Sequence, residues 1–303
     1  MRTTAQDIWQ IIQTPGVTDL VIDGFDFPRA DFGNGFQHLP ALYASDEEMC
    51  SEIISLALEA GSRIDIAKPV ADFVYLGARF HAVLPFGLST KPLLSIRVHP
   101  EDPHTLETLQ LSGMLSTGQL NWLREQISKG KNIVFSGPTG VGKTTLVRAA
   151  LKGSTERIIC IEQTPELLLE APAIALTERD ANQEGVGQIE LDELIIHALR
   201  MRPDRIVVGE VRSKEFRVLL QAINNGHRGT LTTLHANNLE SVADRFLVLG
   251  LLGGFSTELT SRLVSQSIDY VVQLNRIGNQ RAVSGIGIPK LVECVLRVHE
   301  VVI

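Results

Sequence analysis

With 303 residues, 44% of them hydrophobic and 21% charged, the chain is long enough for two domains and has the composition of an ordinary soluble globular protein. A net charge of −7 argues against broad, unspecific nucleic-acid binding, and Cys50, Cys160 and Cys294 form no C-x-x-C pair, which speaks against a zinc site or a disulfide framework. Residues 1–10 carry Asp7 and no apolar signal-peptide stretch, and no apolar run has the length of a membrane span, so a cytoplasmic enzyme is expected.

Taken in order, Ile8, Ile11 and Ile12 predict a helix over 4–13, and residues 17–23 a strand closed by Gly24. Residues 25–40 read as turns and short strands. Ser45-Asp46-Glu47-Glu48 is a capping box opening a helix that faces the core with Met49, Ile53 and Leu56 and stops at Gly61. Residues 73–84 predict two strands turning near Gly77, and 93–98 another. These elements make a small α+β domain over 1–100. A linker over 101–116 is expected to follow, from the polar break His99-Pro100-Glu101-Asp102-Pro103-His104 onward.

A helix over 117–129, with Leu120, Leu123 and Ile127 inward and Gly130 at its end, opens the second domain, 117–303. Strands at 132–136, 158–161, 206–208, 229–234 and 270–274 then alternate with helices from 145 and near 189–201, 213–224, 239–251 and 256–266. Such alternation predicts an α/β fold, a parallel sheet covered on both faces by crossover helices. The β-branched run at 291–303 reads as one late strand. No internal repeat or low-complexity segment is present.

The chemistry centres on Gly137-Pro138-Thr139-Gly140-Val141-Gly142-Lys143-Thr144-Thr145, which fits the phosphate loop G-x-x-x-x-G-K-[ST]. Strand, loop and helix are the context this loop needs, because its amides and the helix N-terminus form a concave anion site. Lys143 is expected on the β- and γ-phosphates of ATP, and the Thr144 hydroxyl on Mg²⁺. Phosphoryl transfer to water further needs a water-orienting group and positive charge, expected at strand ends near the loop. Glu210 ends the strand Ile206-Val207-Val208-Gly209 and suits the water-polarising role. Glu162 and Glu166 end the preceding strand, and Glu162 could hold a Mg²⁺-bound water or simply lie in a solvated turn. His235, closing the hydroxyl-rich strand Gly229-Thr230-Leu231-Thr232-Thr233-Leu234, reads as a phosphate or Glu210 contact or as a structural histidine. Arg200, Arg202, Arg205 and Arg212 bracket the Glu210 strand, as a solvated face or as arginines reaching phosphate across a subunit boundary.

In this order the stretches resemble the type II/type IV secretion ATPase family of RecA-like motors. That family joins a phosphate loop to an acidic box I-E-D-x-x-E-L, a strand ending G-E, and a histidine box G-H-x-x-x-x-T-x-H-A-N. Here these are residues 137–144, 161–167, 206–210 and 226–237. The string Ala198-Leu199-Arg200-Met201-Arg202-Pro203-Asp204-Arg205 looks most like the CpaF-type Flp/Tad pilus branch. The resemblance implies a smaller N-terminal α+β domain, a RecA-like domain, ATP between them and a homohexamer. It further implies a pilus or secretion platform protein as partner, peripheral membrane association through that partner, and work at the cytoplasmic face of the inner membrane. It assigns water activation to Glu210, Mg²⁺ support to Glu162, γ-phosphate sensing to His235, and closure on the phosphates to Arg97 and Arg79. Gln163 stands where the box usually has Asp. The CpaF-type H-V-V-R-L-x-x-R survives at residues 172–179 only in its second arginine, Arg179, with Ala175 at the first, and the tetracysteine module of type II enzymes is absent. The reading is a Mg²⁺-dependent ATP hydrolase powering pilus assembly, secretion or conjugation, with no stable nucleic-acid partner. A DNA-handling RecA-like motor and a nucleotide-binding assembly protein without turnover are the rivals.

Overall fold

Ile8 and Ile12, one turn apart on α1 (Thr4–Ile12), are buried in the first of two units into which the chain divides, Met1–Asp102 and Pro103–Ile303. The computed structural model describes residues 4–33, 35–98, 104–170, 172–179, 181, 186–278 and 280–303. Five of the six residues in the break at 99–104, where the linker was expected to begin, lie outside these.

The first unit is a six-stranded antiparallel sheet, order β3-β2-β1-β6-β5-β4, built from β1 (Asp19–Asp23), β2 (Pro28–Asp31), β3 (Phe36–His38), β4 (Val70–Tyr75), β5 (Ala78–Val83) and β6 (Leu93–Val98). Burial alternates along the central strands, so Leu20, Ile22, Phe80, Ala82, Leu94 and Ile96 share one core with Met49, Ile53 and Leu56 of α2 (Asp46–Glu59). Ser45 caps α2 by accepting from the Glu48 amide, and the Glu48 carboxylate returns one residue early, to the Ala44 amide. Leu76 and Gly77 are both left-handed (φ 46° and 82°), as a two-residue turn between β4 and β5 requires.

The second unit contains α3 (Leu106–Leu111), α4 (Thr117–Ser128), β7 (Ile133–Ser136), α5 (Lys143–Leu151), β8 (Ile158–Glu162), β9 (Ile174–Thr177), α6 (Leu191–Leu199), β10 (Arg205–Val208) and α7 (Glu215–Asn224). It continues through β11 (Leu231–Leu234), α8 (Ser241–Leu252), α9 (Thr257–Ser267), β12 (Tyr270–Ile277), β13 (Gln280–Val292) and β14 (Val295–Val301). Its sheet runs β14-β13-β12-β7-β11-β10-β8-β9, parallel from β12 to β9. Strands β7, β8, β10 and β11 are buried at every residue, because helices cover both faces. Val134, Ile159, Ile161, Ile206 and Val208 meet α6 to α9 on one side; Ile133, Phe135, Ile158 and Val207 meet α3 to α5 on the other.

Two expectations change. Residues 104–116 do not form a spacer: Thr105 and Thr108 make a reciprocal cap, and Leu106, Leu109, Met114 and Leu115 are buried with Phe135 and Leu146. The tail is no single strand either. Chain continues out along β13, turns at Glu293 and Cys294, both left-handed, and returns as β14 to make an antiparallel edge hairpin. Among the described residues no single helix is long and apolar enough to cross a membrane.

Candidate active site

Strand β7 delivers the chain to Gly137, where a Cβ would stand 2.4 Å from the Leu274 carbonyl oxygen of the neighbouring strand. Gly140 and Gly142 are left-handed (φ 75° and 95°), turning the loop back into α5. No side chain caps the N-terminus of α5, which leaves its first amides directed at the loop's interior. Lys143, 7% exposed, donates from Nζ to the carbonyls of Gly137 (2.8 Å) and Pro138 (3.0 Å). Burial lowers its pKa, with Glu210 opposing and Arg212 reinforcing the shift. Thr144 and Thr145 lie half-buried on the first turn of α5. A glycine-turned cradle, a buried amine and an uncapped helix start suit a triphosphate, and the Thr144 hydroxyl suits a Mg²⁺ carried by it. Among the described residues no three His, Cys, Asp or Glu side chains group to hold a metal by themselves.

Strand order brings the remaining groups to the loop. β11 lies between β7 and β10, so the residues just past β10 and β11 emerge beside the phosphate loop. The Val211 amide donates to Thr233 O, and Thr233 Oγ1 to Gly209 O at 2.7 Å, fixing the backbone on both sides of Glu210. His235 Nε2 is 2.9 Å from Glu210 Oε1, and its Nδ1 is 3.4 Å from Lys143 Nζ and 3.5 Å from Thr139 Oγ1. An ammonium only donates, so the Lys143 bond needs a bare Nδ1, and Nε2–H then donates to Glu210. Arg212 Nη2 donates to Glu210 Oε2 at 2.6 Å, and Arg212 Nη1 to Gln163 Oε1 at 2.9 Å. Burial alone would raise the Glu210 pKa; hydrogen bonds from His235 and Arg212 outweigh it and hold the carboxyl at about 2.

Glu162, 5% exposed, is turned onto its own loop, accepting from the amides of Glu166 (3.2 Å) and Leu167 (3.1 Å). Burial pushes it up to about 7 against those two donors. A Cβ at Gly209 would sit 2.8 Å from Glu162 Cγ, so the glycine before Glu210 makes room for Glu162.

Arg205, Arg179, Arg97 and Arg79 make contacts away from the loop, and Arg200 and Arg202 are exposed. Arg205, 2% exposed, forks onto Glu156 and donates to the carbonyls of Ile127 and Gly229, which makes it an internal clasp. Arg179 is exposed and donates to Gly187 O at 2.8 Å. In the first unit Arg97 Nε is 3.0 Å from Asp19 Oδ1, its cross-strand neighbour, and Arg79 lies opposite Arg97 on β5 and 3.7 Å from Asp72. The link from Gln163 through Arg212 to Glu210 is not legible in the sequence: both flanking residues stand beside the motifs, but only the pairing of β8 with β10 makes them meet.

The type II/IV secretion system protein family matches residues 77–284. The chain belongs to this family. It is 34% identical over 283 residues to a Mycobacterium tuberculosis protein assigned by name to conjugal transfer, covering 89% of this chain and 80% of that one. It is 30% identical over 259 residues to the conjugal transfer protein TrbB of Rhizobium radiobacter, covering 83% and 76%. The solved pilus retraction motor PilT with bound ADP shares its fold, with TM-score 0.65 at 19% identity over 98% of this chain and 82% of that one. The Legionella pneumophila ATPase DotB does so with TM-score 0.62 at 19% identity, covering 91% and 76%. This secretion-system protein therefore has the RecA-like fold with a smaller α+β unit before it, and the CpaF-type branch is not specified by these matches.

Proposed function

We propose that this protein is a Mg²⁺-dependent ATP hydrolase that acts as a ring of six and powers conjugation, secretion or pilus assembly through a platform protein at the inner membrane. The observation that carries the reading is the contact chain from Lys143 through His235 to Glu210, which ties a phosphate loop to a carboxylate held ionised. Family membership and the conjugal-transfer names of its relatives support the biological setting.

In this reading the loop amides and Lys143 bind the β- and γ-phosphates. The Thr144 hydroxyl, and Glu162 through a water, would hold a Mg²⁺ that supplies positive charge to the phosphates when bound. Glu210 orients a water in line with the γ-phosphorus; as the new P–O bond forms, the bond to the β-phosphate breaks and ADP leaves. Transfer of this kind depends on positioning more than on proton removal, so a carboxylate held near pKa 2 serves as an orienting acceptor. His235 couples Glu210 to the loop and thereby to the γ-phosphate. Arg97, Arg79 and Arg179 supply further phosphate contacts when nucleotide is bound.

Phosphate release from Mg·ATP tests the proposal. Lys143→Ala is expected to abolish turnover and weaken ATP binding strongly. Glu210→Gln is expected to keep binding and lower turnover by at least about a hundredfold. Parent-like turnover in either variant overturns the assignment.

A further inference from the structure

We propose that Arg212 and Gln163 are positioning residues: Gln163 fixes the plane of the Arg212 guanidinium, and Arg212 aims the Glu210 carboxylate at the attacking water. The inference rests on the hydrolase reading above. The two sides of the guanidinium serve different residues, Nη1 donating to Gln163 Oε1 and Nη2 to Glu210 Oε2. His235 takes the other oxygen of Glu210, so the carboxylate is held at both oxygens and its plane is set. Held by His235 alone, it would be free to swing about that one bond.

Gln163 is the informative partner. It occupies the place where the acidic box of the family usually carries Asp. An amide oxygen accepts from Nη1 without adding negative charge, so the full guanidinium charge stays with Glu210. A carboxylate at 163 would compete for that charge. The other charged groups acting on Arg212 are Glu166 and Glu215, and those acting on Lys143 are Glu210, Arg212 and Glu166. Glu215 also accepts from the Arg212 and Ser213 amides, anchoring the backbone from which the guanidinium reaches. A stability role explains little of this: Arg212 is 55% exposed at its side chain, and ion pairs at such sites contribute little to folding. Orientation does explain it, because phosphoryl transfer gains most from alignment of the nucleophile.

A double-mutant cycle on kcat tests the brace in full-length parent, Gln163→Met, Arg212→Ala and the pair, with ATP affinity measured alongside. Arg212→Ala is expected to lower kcat by at least about tenfold while ATP affinity moves less than about threefold. Gln163→Met is expected to lower kcat by about threefold or more, yet to add nothing in the Arg212→Ala background, because it acts only through the guanidinium. Arg212→Lys should recover little, since an ammonium lacks the planar fork. Additive losses, losses confined to ATP affinity, or full rescue by lysine overturn the proposal. A second readout needs no turnover: the Arg212 guanidinium ¹⁵N–¹H resonances should be separate and slowly rotating in the parent and averaged in Gln163→Met. Averaged signals in the parent overturn the brace, whereas a parent with the NMR signature but no hydrolysis overturns the hydrolase reading alone.

Discussion

At the residue scale, Glu162 and Glu210 are two carboxylates at neighbouring strand ends whose surroundings push them in opposite directions. Glu210 gains two side-chain donors and stays ionised; Glu162 is buried against its own turn and is pushed up to about 7. A carboxyl whose folded pKa lies above its ordinary 4.5 binds more protons folded than unfolded between those values. Its folded state therefore loses stability as pH rises from about 4.5 to 7 and is flat beyond. Glu162→Gln keeps an acceptor for the Glu166 and Leu167 amides and removes the titration. Relative to the parent, the metal-free variant should gain stability between pH 5 and pH 8, on the order of 3 kcal/mol at most for a shift of this size. Thermal unfolding of both proteins at the two pH values checks the sign; an equal difference at both would mean that Glu162 does not titrate there.

At the element scale, what the sequence declared was what local chemistry dictates. The phosphate loop is contiguous, so Gly137 to Thr144 could be read directly. Buried strands such as the one holding Ile206-Val207-Val208 stand out because nothing in them faces water. Residues 280–290 are opaque because Gly285, Gly287 and Pro289 interrupt the apolar pattern, and the reason lies in packing: a Cβ at Gly287 would meet Val298 Cγ1 at 2.5 Å. Helix α3 was opaque because it is six residues long and its burial depends on the distant α5. The meeting of Gln163, Arg212 and Glu210 depends on strand order, which no spacing encodes. The same reasoning about close approach gives a test away from the site. Gly250 on α8 faces Thr260 on α9, and a Cβ there would stand 2.0 Å from Thr260 Oγ1 and 2.7 Å from its Cβ. Thr260 is fully buried and donates to Ser256 O, so it cannot swing away. Gly250→Ala is expected to cost about 1–3 kcal/mol of stability through overpacking, while the folded fraction binds ATP as the parent does. Unchanged denaturant midpoints would mean that the two helices slide apart at little cost.

At the scale of the whole molecule, the family match runs from residue 77 to 284 and so takes in parts of both units. The proposed hydrolase function assigns the first unit a residue that reads the γ-phosphate, and Arg97 is the one proposed. Its geometry offers a competing account: on β6 it pairs with Asp19 across the sheet, with 61% of its side chain exposed. An ion pair that exposed contributes at most about 1 kcal/mol, and ATP and ADP would feel its loss equally. A guanidinium reading the γ-phosphate behaves otherwise. Arg97→Ala is then expected to lower turnover and weaken ATP binding while ADP binding stays close to the parent's, because ADP lacks the phosphate in question. Arg97→Lys should rescue poorly, an ammonium being unable to bind two phosphate oxygens in one plane. Asp19→Asn separates the two accounts, since it removes the cross-strand partner and keeps the arginine. Turnover should survive Asp19→Asn within about twofold and collapse in Arg97→Ala. Equal loss in both variants, or equal loss of ATP and ADP affinity in Arg97→Ala, would reduce Arg97 to a cross-strand ion pair and leave the first unit without a phosphate sensor at this position.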